Sequence, residues 1–413
     1  MHTIVLFLTL ASVLPLPAAA RHAAGTARKH APAAAQHAAS SATAAMSAAE
    51  ASTAAAHVQL STAAPAAEPA SITVSTTAIR DLVLADFRMR GVHLSCWGAG
   101  GAKSRGELIK KISGTVINSV VIAVKETDGM VYMPGVEKAH KWGSYTAAIP
   151  QPAAMLKDFK AAGLYTVARI VVFKDKVVPK TRPDLAVKNP DGGLWRSRNG
   201  ATWLDPYNRE VWDYILDLAE LAAKLGFDEI QFDYIRYPSE GNTALCRYSK
   251  PSNRHTAAAN LGEFLRYARK RLAPYKVKLS SDVFGLTTSV KDDMGIGQDI
   301  GILAANSDYV YPMMYPSHYA HGEYNIKNPA EQPFKILNQG LKDARRKLGL
   351  DYAKLRPYLQ DFWKYGPADV HAQQIAARLN LLESWVLWNP SNNYTWAALT
   401  PQAYRAIVDP AHK

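Results

Sequence analysis

What most constrains this chain is an alternation that runs from residue 91 to residue 389: short apolar runs, separated by segments of helical period. The runs are Gly91–Trp97, Val120–Glu126, Tyr165–Phe173, Glu229–Pro238, Val277–Gly285, Tyr309–Tyr315, Leu355–Phe362 and Trp385–Asn389. They are rich in Val, Ile, Tyr and Phe, the residue types that pack well on a pleated surface. In the intervening segments apolar residues recur every three or four positions, as Val211, Tyr214, Ile215, Leu218, Leu221, Ala222 and Leu225 do. Phe264, Leu265, Ala268 and Leu272 repeat the pattern after the fourth run. That spacing puts one apolar stripe on a helix. Strands alternating with helices imply a parallel sheet, because a parallel pair needs a long crossover. Eight units suit a closed barrel better than an open doubly wound sheet, so the expected fold is α/β, a single (β/α)8 TIM barrel over residues 81–413. Pro312 and Pro357 stand against the sixth and seventh strands, since proline gives no donor to a ladder.

The N-terminal part of the chain has a different composition. Ile4 to Leu14 is apolar and is followed by Pro15, Pro17 and the small residues Ala18, Ala19 and Ala20, a pattern that reads as a signal peptide over residues 1–20. From Arg21 to Ala70, 23 of 50 residues are alanine and almost none is large and apolar. Such a stretch buries too little surface to offset its chain entropy, so residues 21–80 are read as a disordered, Ala-rich linker. An exported protein, periplasmic or secreted, is expected. No run reaches the roughly 20 apolar residues that cross a bilayer, which argues against a membrane span. The formal charge of +13 raises the question of nucleic acid. No long Lys/Arg run or zinc finger accompanies it, so we read a basic surface suited to an acidic cell-wall or extracellular glycan.

Several runs are apolar in the body and polar at the C-terminal end, the end on which a (β/α)8 barrel builds its active site. Lys125-Glu126, Asp233, Asp282, Gln360-Asp361 and Asn389 occupy these ends. Strand alternation puts Gln231 and Asp233 on one face, and polar groups facing a barrel interior are costly unless partnered. The alternative role for Asp233 is an ion pair with Arg169 or Arg236. Asp282 stands at the same height one strand later, after the small residues Ser280 and Ser281. Two carboxyls on neighbouring strands suit glycoside hydrolysis, one attacking or stabilising the sugar and the other moving the proton. Glu126 is a third acid, a competing proton donor or a substrate partner. On the seventh run either Gln360 or Asp361 faces the pocket, not both. Arg236 and Lys125 supply cations, and Trp97, Trp195, Trp363 and Trp388 are candidate platforms for sugar rings.

At this point the residues carry a resemblance. Arg90-Gly91-Val92-His93, Val124 to Gly129, Ala168 to Asp175, Phe232-Asp233-Tyr234-Ile235-Arg236-Tyr237-Pro238, Met314 to Tyr319 and Arg356 to Phe362 together resemble a bacterial glycoside hydrolase domain family long carried as a domain of unknown function. That family is similar to α-amylase-type and α-galactosidase-type barrels. The resemblance covers roughly residues 90 to 395 and implies a carbohydrate substrate, with Asp233 in the nucleophile place. It adds Arg169, Tyr315 and His318 to the residues expected around the substrate. In the α-amylase type the fifth strand ends in Glu, where this chain has Asp282, one methylene shorter.

Other constellations are weak. Gly295 to Gly301 lacks the spacing of a dinucleotide fingerprint and reads as a loop entering a helix. No His-Glu-x-x-His pattern, nucleophile elbow or phosphate loop is present, so no cofactor and no metal is expected, and His318 and His321 are read as loop residues. Two cysteines rule out a disulfide-dense scaffold, and Cys96 and Cys246, placed on one face of an exported protein, are read as a candidate bridge. The competing function is a glycan-binding barrel that does not cleave.

Overall fold

Eight parallel strands form in the eight apolar runs: β1 Arg90–Leu94, β2 Ser119–Lys125, β3 Tyr165–Val171, β4 Glu229–Asp233, β5 Lys278–Phe284, β6 Tyr309–Met313, β7 Tyr358–Gln360 and β8 Trp385–Trp388. They are seen in a computed structural model that describes residues 87–408; the expected signal peptide and linker lie outside the described residues. Each strand pairs with the next, and β8 closes on β1 through Arg90↔Trp385, Gly91↔Val386 and Val92↔Leu387. The fold is therefore a closed (β/α)8 barrel.

The strands divide their side chains between two environments. Val92, Val120, Ile122, Ile170, Ile230, Phe232, Leu279, Val310 and Leu387 face outward into one continuous core shared with the helices. Val121, Val167, Tyr311, Tyr358 and Val386 face inward and fill the barrel. Burying a side chain of this size contributes about 1.5–3 kcal/mol. The helix Arg209–Leu225 shows how the outer layer is specified. Asn208 caps it by accepting from Glu210 N at 2.9 Å, Gly226 ends it at φ 101°, and Val211, Tyr214, Ile215, Leu218 and Ala222 are buried between.

The first apolar run is shorter than the sequence suggested. Ser95 turns the chain by accepting from Gly98 N at 3.2 Å, which puts Cys96 and Trp97 into the helix Cys96–Gly100. One of the two prolines stays outside its strand, since Pro357 directly precedes β7. Pro312 is inside β6, and Arg356 N donates to Val310 O at 2.9 Å while Met314 N donates to Tyr358 O at 3.1 Å. A ladder donor would be needed between those two bonds, and proline has none. Met313↔Tyr358 is in register between the two strands, and Val310↔Leu355 bridges the seam just before β7.

The floor of the barrel is polar. Glu229 is fully buried and accepts from Arg356 Nη1 at 2.8 Å, from Tyr311 Oη at 2.8 Å and from Tyr165 Oη at 3.0 Å. This satisfied ion pair seals the N-terminal end and leaves the C-terminal mouth for chemistry.

The expected Cys96–Cys246 bridge does not form: both cysteines are free and buried. Each thiol packs against its own tyrosine, Tyr132 for Cys96 and Tyr248 for Cys246, and burial pushes the thiols up to about 12 and about 11.

Candidate active site

Strand register sets the height of each side chain at the mouth. Arg169 pairs with Gln231 across β3 and β4, and Gln231 pairs with Ser280 across β4 and β5. Two residues further along each strand, Asp233 and Asp282 stand level on neighbouring strands. Arg169 lies between the acids. Its Nε donates to Asp233 Oδ2 at 2.9 Å and lies 3.9 Å from Asp282 Oδ2, while its Nη1 pairs with Glu126 Oε1. The nearer oxygens of the two aspartates therefore cannot lie farther apart than those two distances laid end to end. Burial opposes the charge on Arg169, but Glu126 and Asp233 more than offset it and hold the guanidinium well above its usual range.

The two aspartates have different surroundings. Asp233 also accepts from Tyr234 N at 2.6 Å, and Tyr234 adopts φ 49° to make this turn, a conformation that a bulky residue takes only under constraint. Asp282 is 1% exposed and neither carboxyl oxygen has a hydrogen-bond partner among the described residues. Burial, and then the charge on Asp233, raise its carboxyl well above the usual range, with Arg169 opposing. Asp282 thus holds its proton more tightly than a free carboxyl does, in the neighbourhood of a paired carboxylate. Asp233 is 3% exposed, and Glu126, whose side chain is 27% exposed, is the one of the three acids that reaches solvent.

Around these acids, other buried polar atoms also lack hydrogen-bond partners among the described residues. Both ring nitrogens of His93, Gln231 Nε2 and Tyr315 Oη are in this condition. His93 stacks on Trp388 at 3.8 Å, Trp388 lies under Arg169 at 5.0 Å, and Tyr315 packs 6.5 Å from Trp388. Gln231 accepts from Tyr358 Oη at 2.9 Å through its other atom. Unpartnered buried groups are rare in proteins, and these lie together at the barrel mouth around Asp233 and Asp282.

The remaining candidates are placed as follows. Gln360, not Asp361, takes the inward position on β7, accepting from Ser317 N at 3.1 Å. Asp361 is turned away and accepts from Thr395 N at 2.8 Å and Thr395 Oγ1 at 2.6 Å, so it ties a loop instead of facing the pocket. Lys125 also leaves the pocket. It is fully buried in an ion pair with Asp175 at 2.9 Å, because the register shifts between Ala123 and Lys125 and carries it to the outer side of the strand. Trp195 is a core residue, 1% exposed, that donates to Asn242 O at 3.0 Å. Trp97 and Trp363 are exposed on the loops after β1 and β7. His318 packs against Tyr315 at 5.2 Å, and the His321 ring bonds Lys327 O at 2.8 Å. Arg236 is buried, donates to Tyr237 O and Ser239 Oγ at 3.0 Å each, and lies under Trp203, Tyr234 and Phe284.

Sequence reasoning did not single out His93, Lys174, Asp175, Glu240 or Tyr358 as site residues. His93 shares strand parity with Gly91, which pairs with Ser119 on the inner face, and that parity was a readable signal. Nothing local marked the others.

Residues 91–394 match the model of a family described as "Putative glycosyl hydrolase domain". Among solved structures, the PgaB (BpsB) glycoside hydrolase domain from Bordetella bronchiseptica is 17% identical, with 78% of this chain and 98% of that one covered and a TM-score of 0.57. The α-galactosidase TtGalA from Thermus thermophilus, in complex with p-nitrophenyl α-D-galactopyranoside, is 13% identical, with 78% and 62% covered and a TM-score of 0.50. Both share the barrel. A hypothetical protein from Ruminiclostridium thermocellum is 34% identical over 46% of this chain and 97% of its own, with a TM-score of 0.42. Comparison with curated proteins gives no match.

Proposed function

The chain belongs to this family of glycosyl hydrolase domains, and from that premise we propose that it is an exported enzyme cleaving glycosidic bonds in a polysaccharide or other extracellular glycan. The observation that carries the reading is the cluster of unpartnered buried groups at the barrel mouth, His93, Gln231, Asp282 and Tyr315, beside an ion-paired aspartate. A sugar ring offers hydroxyls in several directions and would satisfy donors and acceptors that the protein leaves unmet. An apolar ligand would not.

In this reading Asp282, kept neutral by burial, gives its proton to the leaving glycosidic oxygen. Asp233 attacks or stabilises the anomeric carbon on the opposite face. The limit that Arg169 sets on their separation admits the retaining arrangement, in which the carboxyls stand about 5 Å apart. A glycosyl ester on Asp233 would then be hydrolysed by water that returns its proton to Asp282. Because both aspartates are almost sealed, the sugar enters only when the Glu126–Arg169 pair parts, which makes Glu126 a gate residue as well as a competing proton donor. Trp388, Gln360, Tyr315 and His318 would line the bound sugar, with Trp97 and Trp363 on the rim.

The test is reducing-end release from a panel of polysaccharides by the wild-type chain and by Asp233→Asn. Release by the first and none by the second supports the assignment; equal release by both refutes it. A glycan-binding barrel without turnover is the second reading, favoured by the hold of Arg169 on Asp233. It is preferred if the wild-type chain is retarded by polysaccharide in native gels yet releases no reducing ends.

A further inference from the structure

We infer that the loops after β3 and β4 form a carboxylate seat beside the proposed cleavage point, made by Lys174 and Arg236 and filled in this structure by the chain's own Glu240, and that it binds an acidic sugar of the substrate. Both cations are buried, Lys174 at 7% and Arg236 at 2% exposure. The one carboxylate between them is held loosely, with Glu240 Oε2 3.5 Å from Lys174 Nζ and Oε1 3.8 Å from Arg236 Nη2. The Glu240 side chain is 41% exposed, on a loop that turns at once through Gly241 at φ 96°. Two buried positive charges thus share one loosely held carboxylate, with Asp233 acting on Arg236 from farther off.

The walls are aromatic and hold both cations in place by their ring faces. The Tyr234 ring lies 5.1 Å from Lys174 Nζ and 4.8 Å from Arg236 Cζ, and Trp203 and Phe284 lie 4.9 Å and 4.6 Å from Arg236 Cζ. Trp203 is itself buried, and its indole N–H has no hydrogen-bond partner among the described residues. Burial lowers Lys174 from its usual range, and Glu240 only partly restores it. The place in the fold ties the seat to the site. Tyr234 follows Asp233 directly, and Phe284 is two residues beyond Asp282. A carboxylate displacing Glu240 would hold the sugar next to the cleaved bond.

The assignment of a sugar as the biological ligand rests on the hydrolase reading, but the seat can be tested without turnover. In the full chain carrying Glu240→Ala, sodium glucuronate, sodium acetate, inorganic phosphate and glucose are compared by thermal unfolding at fixed ionic strength. Glucuronate at ten times its dissociation constant is expected to raise the melting temperature by about 2 °C, acetate by less and glucose by nothing. The rise should vanish in the double variant Glu240→Ala/Lys174→Met, and should be smaller in the wild type, where Glu240 competes. If glucuronate does no more than chloride in Glu240→Ala, there is no seat. If phosphate stabilises and glucuronate does not, the carboxylate assignment is wrong. Either result leaves the outcome for Asp233→Asn on polysaccharide unaffected, so the two readings fail separately.

Discussion

Asp233 and Asp282 are the same residue type on adjacent strands, and their neighbours alone separate their roles. Asp233 is locked to Arg169, and replacing it with Asn should lower turnover on the order of 10³-fold or more while the melting temperature shows the fold retained. Asp282 has burial without partners, and this makes a second, turnover-free prediction. Its folded value is raised above the unfolded one, so the stability tied to the neutral acid is fully present below the unfolded value near 3.8 and is lost as pH rises through the folded value. The loss is about 1.4 kcal/mol for each pH unit in that window. Asp282→Asn should therefore unfold at higher temperature than the wild type at pH 8, with the difference closing as pH falls toward 4. Parallel pH profiles for the two proteins would show that Asp282 is ionised in the fold.

Elements place these residues through turns that tolerate little. After β2 the chain turns at Gly129, φ 93°, where an added Cβ would stand 2.4 Å from Asp175 Oδ1. Asp175 holds the fully buried Lys125, so Gly129→Ala strains the backbone and pushes apart a buried ion pair. A loss of about 3 kcal/mol is expected in urea unfolding. Gly163 has a similar φ of 73° but nothing within 4 Å of its Cβ position, and Gly163→Ala should cost only about 1 kcal/mol. Equal losses at the two sites would remove the packing argument. The same turn shows why Lys125 was misjudged. Strict alternation from Val121 and Ala123 sends it into the barrel, and the register shift that pairs it with Ile170 is invisible without the neighbouring strand.

For the molecule as a whole, the seam between β6 and β7 is where the barrel is least secured. With two bridged pairs and Pro312 lacking a donor, amides beside the seam, such as Met314 and Arg356, should exchange hydrogen faster than those between β2 and β3, which share six registered pairs. Uniform protection around the barrel would contradict this. The eight strands and the inward face of Gln231 and Asp233 were legible because period and polarity are local properties of a chain. The phase at Gln360 and Asp361 was not, since β7 is three residues long and its register is set by β8.

By itself, the sequence determined a barrel, its order of strands and the acids at their C-terminal ends, because burial drives apolar periodicity whatever the partner. Only the tertiary structure decided which of those acids are paired. Arg169 reaches Glu126 from β3 and Asp233 on β4, and leaves Asp282 unpartnered, through distances between strands that no local pattern encodes.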